Sequence, residues 1–562
     1  MGPIVPLFLL AITLLLAATA AHAATYGHIT VVERPTLQGP AYNAYYEYRF
    51  DVANSGTKPS TVTLTAQTIQ PYTSNAWRVS RSFVLAPGTA GVITIPQLVQ
   101  SSSSAQTVAV VIDGIEQREV ISLNSLSVSD ASVHAVLVGD GVALGGIEAD
   151  LQKASIANIV YNKSGIGYVD WSSSWMQYNR FGGILLTPRD WERMPPPVRD
   201  AIRRWSFAGG SLAFMGAPPA DVPAAPVLWE HGPLRMVPHG LGRIVMLPES
   251  DAAFTAADYV TLRGYWRRPV LTTLETHQAS STLPLLPNKP LPTGSMFSVM
   301  FVFAIVAGPV NVIFLARRNK RLWLFWSVPA MAILAAIGIV ASLLINEGWV
   351  RVQRSRTLTL LDENRGEAAT FGWTGVYSTA APDLVRFATS TALQVTHDTK
   401  AQDTVWADGQ GLLSWVPSRV PTYFMVRKSE PRRERLTIRR EGNQVVAVNG
   451  LGAPLTKLVV AMEDGSIYSA GAVGAGARIV LTRNATKLKE IAGSADELVR
   501  QPEVWMGAIQ GVDGDPMSIL QPGMYVAALK GTPFLETVVE EPTEVVHDAI
   551  VVGYMRRSSD AS

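Results

Sequence analysis

The chain contains no cysteine, and that absence removes disulfides, thiolate metal sites, thiol nucleophiles and lipid attachment through cysteine together. Strong charge is missing as well. The 562 residues carry a formal net charge of +2 with no long run of one sign, which argues against nucleic acid or a strongly acidic polymer as partner. There is no GxSxG elbow, no GxxxxGKS/T phosphate loop and no HExxH helix, so the common hydrolase, nucleotidase and metalloprotease signatures all fail. No metal and no cofactor are expected. Basic residues are also lacking before the first apolar stretch, where Met1-Gly2-Pro3-Ile4-Val5 offers only the amino group.

What the chain does have is apolar length. Residues 296–316 and 322–345 are two apolar runs joined by Arg317-Arg318-Asn319-Lys320-Arg321. Roughly 20 residues at about 1.5 Å rise cross a hydrocarbon core, so a transmembrane hairpin is expected, with its basic connector in the cytoplasm and both flanks on the opposite side. Residues 6–20 are almost wholly apolar and lead into Ala21-His22-Ala23, a small-x-small pattern suited to signal-peptidase cleavage. A signal peptide over 1–23 is the reading, with an uncleaved anchor as the alternative; either exports the next domain. The expected location is a bacterial inner membrane with both large regions in the periplasm.

The expected fold class is multidomain α+β. Residues 24–126 show short β-rich runs about ten residues apart, which suits an Ig-like β-sandwich, as in Tyr45-Tyr46-Glu47-Tyr48-Arg49-Phe50 before the turn Asn54-Ser55-Gly56. Its Ala86-Pro87-Gly88 turn resembles bacterial adhesion-type Ig-like modules. Ser101 to Ser104 reads as a loop. Over 127–290 the pattern alternates strand and helix, with strands at 133–138, 157–161, 183–187 and 211–215, helices at 146–155 and 198–207, and Gly209-Gly210 as helix stop. This predicts βαβ architecture with a parallel sheet. Residues 352–562 read as β-rich exported modules, with one helix expected at 485–500.

The run Phe181-Gly182-Gly183-Ile184-Leu185-Leu186-Thr187, then Arg199 to Trp205, then Gly209-Gly210-Ser211-Leu212-Ala213-Phe214-Met215-Gly216 resembles the class I glutamine amidotransferase-like superfamily. There a helix and a Gly-Gly turn feed the strand that presents a catalytic cysteine. The matching end here is Met215-Gly216-Ala217, so the resemblance implies a bacterial membrane protein whose amidotransferase-like domain lacks the catalytic cysteine. The hairpin, with Gly308-Pro309-Val310-Asn311, then Arg317-Arg318, then Trp323, Trp326 and Pro329, resembles one recurring in bacterial membrane proteins, some associated with ABC-type transporters. It implies the membrane and other envelope proteins or a transporter complex as partners.

Candidate site residues are chosen by position. Gly139-Asp140-Gly141-Val142-Ala143-Leu144-Gly145 follows a strand where a phosphate loop would sit, but its spacing is GxGxxxG and a plain tight turn is the competing reading. Asp140, Asp170 and Asp190 lie near strand ends, where open sheets bind ligands. Trp171 and Trp175 flank a Ser-rich segment that reads as a loop and could present indoles to a ligand; core packing is the alternative for them, as for Trp191, Trp205 and Trp229. Glu230, His231 and His239 lack a ligand-like spacing, and His134 reads as a core histidine. Within the hairpin, Gly308, Pro309, Asn311 and Pro329 are expected to set kinks and helix packing. Arg432, Arg433, Arg435, Arg439 and Arg440 form a basic cluster that reads as a solvated strand face or as a patch for anionic lipid. The functional expectation is a non-catalytic membrane-anchored binding or scaffold protein, such as an accessory subunit of a transporter or envelope machine. The alternative is an exported hydrolase acting on a carbohydrate or peptide through Asp140 or Asp190.

Overall fold

The computed structural model describes residues 23–37, 44–69, 76–99, 105–123, 134–144, 150, 159–163, 165–222, 229–231, 234–247, 256–262, 283–285, 293–318, 321–347, 350–395, 402–484, 520 and 522–556. The expected loop at 101–104, the helix at 485–500, nearly all of the expected signal segment and all but one residue of the helix at 146–155 lie outside the described residues.

β-Structure dominates. Strands take 50% of the described residues and helices 19%, which corrects the expected class of separate β, α/β and helical-hairpin domains. Four sheets carry the fold. Strands Ala23–Tyr26, Ile29–Arg34, Ala44–Asn54 and Ala90–Val99 form a four-stranded antiparallel sheet. Facing it is a sheet in which Ser60–Ile69 lies between Ala76–Leu85 and Ala105–Ile112.

That second sheet does not end with its own segment. Gln402–Trp406 pairs in parallel with Ala76–Leu85, from Gln402 opposite Trp77 to Trp406 opposite Arg81, and carries Gln410–Leu413 and Leu384–Phe387 beyond it. The sandwich expected over 24–126 is therefore completed by strands from about 300 residues downstream, which no local periodicity could reveal.

The third sheet holds five parallel strands, Ile159–Lys163, His134–Val138, Gly183–Leu186, Ser211–Met215 and Gly242–Leu247, followed by the antiparallel Leu234–His239 and Trp229–His231. Among the described residues a helix makes only one crossover between neighbouring parallel strands, through Pro188–Arg193 and Pro196–Phe207. The link from Ser211–Met215 to Gly242–Leu247 runs through a β-hairpin instead. An α/β domain needs helices on both faces of its sheet, so that expectation is corrected too. The Pro196–Phe207 helix ends where Gly209 takes φ +120°. A Cβ on Gly210 would fall 2.4 Å from the Trp205 ring, so the Gly-Gly turn allows the helix to close onto the strand.

An eleven-stranded sheet fills most of the C-terminal half, with Arg351–Asp362 lying between Glu367–Ser378 and the parallel Glu544–Tyr554. One continuous core joins these parts. It runs from Tyr45 and Phe50 through Trp171, Tyr178 and Trp205 to Trp406, Leu412, Trp415 and Phe424.

In the apolar segment, helix Thr293–Ile305 leads through a π-helical turn, Val306–Val310, into Asn311–Arg317. Gly308 leaves helical geometry at φ −85°, ψ −105°, next to Pro309. Only Met300–Arg317, 18 residues, meets the length and hydropathy of a membrane span among the described residues; the apolar stretch Leu324–Gly338 of helix Leu324–Glu347 is shorter. The expected two-span hairpin is corrected to one candidate span. Asn311 Nδ2 donates to Ser327 Oγ at 2.8 Å and so ties the two helices together. Pro329 sits within the second helix. Phe297, Phe301, Phe314, Phe325 and Trp326 stand exposed along both.

Candidate functional site

A parallel sheet binds ligands at the carboxyl ends of its strands, where loop N–H groups point into the crevice. Here that crevice is built by three segments: the Gly139-Asp140-Gly141 turn after His134–Val138, the short 3-10 turn Tyr168–Asp170, and the helix Pro188–Arg193 after Gly183–Leu186. Thr187 and Asp190 form a reciprocal capping box at the start of that helix, with Pro188 pre-set in its first turn.

The capping aspartate does more than cap. Asp190 is 1% exposed. Its Oδ2 accepts from Thr187 N at 2.9 Å and Thr187 Oγ1 at 2.8 Å, and its Oδ1 accepts from Gly141 N at 3.0 Å and Tyr168 Oη at 2.6 Å. Tyr168 Oη in turn accepts from Asp140 N at 2.8 Å, and Gly139 N donates to Leu185 O at 2.9 Å. Every N–H of the Gly-Asp-Gly turn is thus engaged internally. Asp190 takes the place an anion would take, and four donors saturate its acceptor sites. A Cβ on Gly139 would lie 2.5 Å from Asp190 Oδ2, so the glycines are required by the chain's own carboxylate. Burial, then the hydrogen bond to Asp190, pushes the Tyr168 phenol well above its ordinary range, so it remains a donor.

The other expected site residues fall elsewhere. Asp140 is exposed at the turn, and only its backbone joins the network. Asp170 lies on the seam with the first sandwich: its carboxylate is 3.6 Å from Arg34 Nη1, and its carbonyl accepts from Arg49 Nη1 at 2.6 Å. Trp171 and Trp175 are 1% and 5% exposed, which corrects a ligand-facing role for them. The Ser-rich segment is packed against strand Ala44–Asn54, and Trp171 meets Tyr168 edge-on at 5.1 Å. Trp191 and Trp205 are buried as well, Trp191 Nε1 donating to Asp221 at 2.9 Å. His239 is buried, with Nδ1 3.1 Å from Ser206 Oγ. Burial, then the charges of Arg365 and Arg203, lower its pKa to about 3, so it is a neutral core group. Among the described residues no cluster of three or more His, Asp or Glu could hold a metal ion. In the basic cluster Arg432 is paired with Glu430 and Glu434, and Arg440 with Asp464.

The polar side chains that sequence reasoning passed over are those of the seams. Ser172 Oγ donates to Glu47, and Arg180 donates to Leu37 O while stacking over the Tyr46 ring. Burial raises the pKa of Glu47 against the opposing pull of Ser172, Arg49 and Arg180. Tyr45 Oη donates to Gln410 Oε1 at 2.9 Å, Arg78 grips Asp403 through two bonds of 2.9 Å, and Arg203 pairs with Glu367. One signal was present in the sequence: Tyr45-Tyr46-Glu47-Tyr48 alternates only weakly between apolar and polar, the mark of a strand covered on both faces, and all four are buried.

No protein-family model matches the chain, and no curated protein matches it. Among solved structures, a structural-genomics target, SoR45, is similar over 19% of this chain and 90% of its own, at 16% identity and TM-score 0.15. The Pseudomonas fluorescens alkylpurine DNA glycosylase AlkC bound to DNA containing an abasic site analogue is similar over 20% of this chain and 34% of its own, at 15% identity and TM-score 0.13. The yeast delta-COP-I mu-homology domain in complex with a Dsl1 peptide is similar over 37% and 96%, at 7% identity and TM-score 0.19. Likenesses this slight carry no functional argument.

Proposed function

We propose that the chain is a membrane-anchored, non-catalytic binding or scaffold protein of the bacterial envelope, its large regions facing the periplasm. The observation that carries this reading is the closed crevice. Asp190 and Tyr168 consume the turn N–H groups that a substrate or cofactor phosphate would need, and Asp190, with all its acceptor sites engaged, is unsuited to general acid or base work. The hydrolase alternative draws no support from Asp140, which has no second carboxylate bonded to it in this network. Membrane attachment is supported by the apolar stretch Met300–Arg317 and by large apolar side chains exposed along it and along helix Leu324–Glu347, an area a soluble surface rarely leaves uncovered; because Ala76–Leu85 and Gln402–Trp406 flank these helices and share one sheet, the chain returns to the side from which it enters. Export is supported by the apolar leader and its Ala-His-Ala pattern.

The absence of cysteine makes the test clean. Val84→Cys and Arg440→Cys, both at exposed positions, should each react with a membrane-impermeant maleimide in cells whose outer membrane is permeabilised. In-cell crosslinking, detergent extraction and mass spectrometry should then recover the same envelope proteins repeatedly. Protection of both cysteines until the inner membrane is lysed, or recovery of the protein alone together with turnover of a glycan or peptide, would overturn the proposal.

A further inference from the structure

Both ends of the apolar helices are fastened to one end of the eleven-stranded sheet. On the incoming side, Leu283 and Leu285 are buried in one cluster with Val352, Tyr377 and Tyr423. Tyr423 Oη donates to Leu283 O at 3.1 Å and Arg354 Nη1 to Pro284 O at 2.5 Å, and Leu285 packs on Gly375, where a built Cβ would lie 2.8 Å from its Cδ1. Arg354, Gly375 and Tyr423 form one cross-strand row. On the outgoing side, three residues separate helix Leu324–Glu347 from Arg351, which opens the strand to which Arg354 belongs. At about 3.5 Å per residue, Arg351 can stand no more than about 14 Å from Glu347. The link contains Trp349, a residue type enriched at membrane–water interfaces.

The same row continues on the other side of Arg354 to Val546, and there the sheet ends in an apolar lip. Val545 and Val546 are 40% and 38% exposed. Successive residues of a strand point to opposite faces, so the strand end is uncovered on both. Its outer edge is open as well. Strand Met524–Lys530 pairs with it only as far as Asp548, Gly531 N adds one bond to His547 O, and among the described residues no strand lies beside 544–546 on that side. An apolar strand end open at its edge invites association unless something covers it. The charge around it selects what can. Glu540, Glu541 and Glu544 are exposed there, opposed by Arg351 and by Arg354, which pairs with Glu544 at 2.8 Å. An acidic rim repels anionic lipid and suits the ammonium groups of a zwitterionic bilayer.

We propose that this lip is the lipid contact of the exported body: Val545 and Val546 dip into the headgroup region of the bilayer that the adjoining helices enter, and the strands of the eleven-stranded sheet rise away from it. This rests on the membrane attachment proposed for the chain. Strand Arg351–Asp362 is 12 residues long. At about 3.3 Å per residue the turn beyond its far end stands roughly 36 Å further out, and Asn364 is exposed in that turn.

Because the chain has no cysteine, labels at single sites test the contact. Full-length protein carrying an environment-sensitive fluorophore at Val545→Cys, Val546→Cys, Asn364→Cys or Ile305→Cys, the last exposed within the apolar segment, is reconstituted in phosphatidylcholine vesicles with and without nitroxide-bearing lipids. The nitroxides should quench the labels replacing Val545, Val546 and Ile305 and leave the one replacing Asn364 unchanged. Adding phosphatidylglycerol should weaken the quenching at Val545 and Val546 and not that at Ile305, and a gain there would overturn the choice of a zwitterionic surface. The two valine sites are independent, so one variant that fails to fold leaves the other to decide. Quenching at Ile305 with none at either valine, or equal quenching at Asn364, would overturn the lipid contact while membrane attachment stands. No quenching at Ile305 would overturn membrane attachment itself and the contact with it.

Discussion

Removing the Asp190 carboxylate separates a structural plug from a functional acid. In Asp190→Ala the donors Thr187 N, Thr187 Oγ1, Gly141 N and Tyr168 Oη lose their acceptor at once. A hydrogen bond to a charged group contributes about 1.5 to 3 kcal/mol, and loss of a helix cap alone costs about 1 kcal/mol. The four do not add, since they share one acceptor and a water could enter the vacated space. An overall cost of about 3 to 5 kcal/mol results, the size typical of breaking a buried charged network. Asp190→Asn should cost about 1 to 3 kcal/mol, because one end of its amide must face donors that it cannot accept from. The assay is denaturant unfolding of the full-length protein in detergent, read through the buried Trp171 and Trp191 of the same region. Residues held for chemistry or ligand binding behave in the opposite way, and replacing them tends to stabilise a fold. An Asp190→Ala variant as stable as the parent or more so would refute the reasoning and return the crevice to candidacy as an active site.

The same contacts lead to further outcomes. Gly210→Ala should destabilise by about 1 to 3 kcal/mol through overpacking, because the new methyl meets the Trp205 ring, and near-ultraviolet circular dichroism of the indoles should change with it. His239 has its pKa lowered from 6.5 to about 3, so the unfolded chain takes up a proton that the folded one refuses. Its contribution is complete above pH 6.5 and is lost as pH falls towards 3, at about 1.4 kcal/mol per pH unit, and His239→Gln should flatten the stability profile in that window. Asn311→Leu removes the bond to Ser327 and should lower stability in detergent by about 1 kcal/mol, measured against Ser327→Ala in a double-mutant cycle.

Local pattern carried much of the fold into view. Strands at 183–187 and 211–215, the helix at 198–207 and its Gly209-Gly210 stop were readable because hydrophobic period and caps act over one turn or one pleat. Pairing over long separations was not readable. Nothing in Ala76–Leu85 says that its free edge waits for Gln402–Trp406, since strand pairing depends on backbone groups that every residue shares. The site was legible by position and not by role. Asp190 and the Gly139-Asp140-Gly141 turn are where a ligand crevice belongs, but a capping box and a bound anion use the same N–H geometry, and only Tyr168, packed in from another segment, decides between them. Trp171 and Trp175 were misleading because serine-rich sequence marks turns without saying which side of a turn faces solvent.

The shared sheet limits how this chain can meet a membrane. The apolar helices lie between Ala76–Leu85 and Gln402–Trp406 in sequence, yet those strands are hydrogen-bonded neighbours. A bilayer cannot pass between two strands of one sheet, so whatever the helices do in lipid, the chain enters and leaves on one face. Synthesis order adds a second consequence. The edge of Ala76–Leu85 is complete long before its partner exists, and an unpaired edge is a template for wrong pairing. Arg78 and Arg81 stand on that strand, and charge on an open edge discourages association with other chains. Once the downstream strand arrives, Arg78 is claimed by Asp403. Arg78, which guards the edge during synthesis, therefore helps fix its register afterwards, and the fold closes only when both flanks of the apolar segment share a compartment.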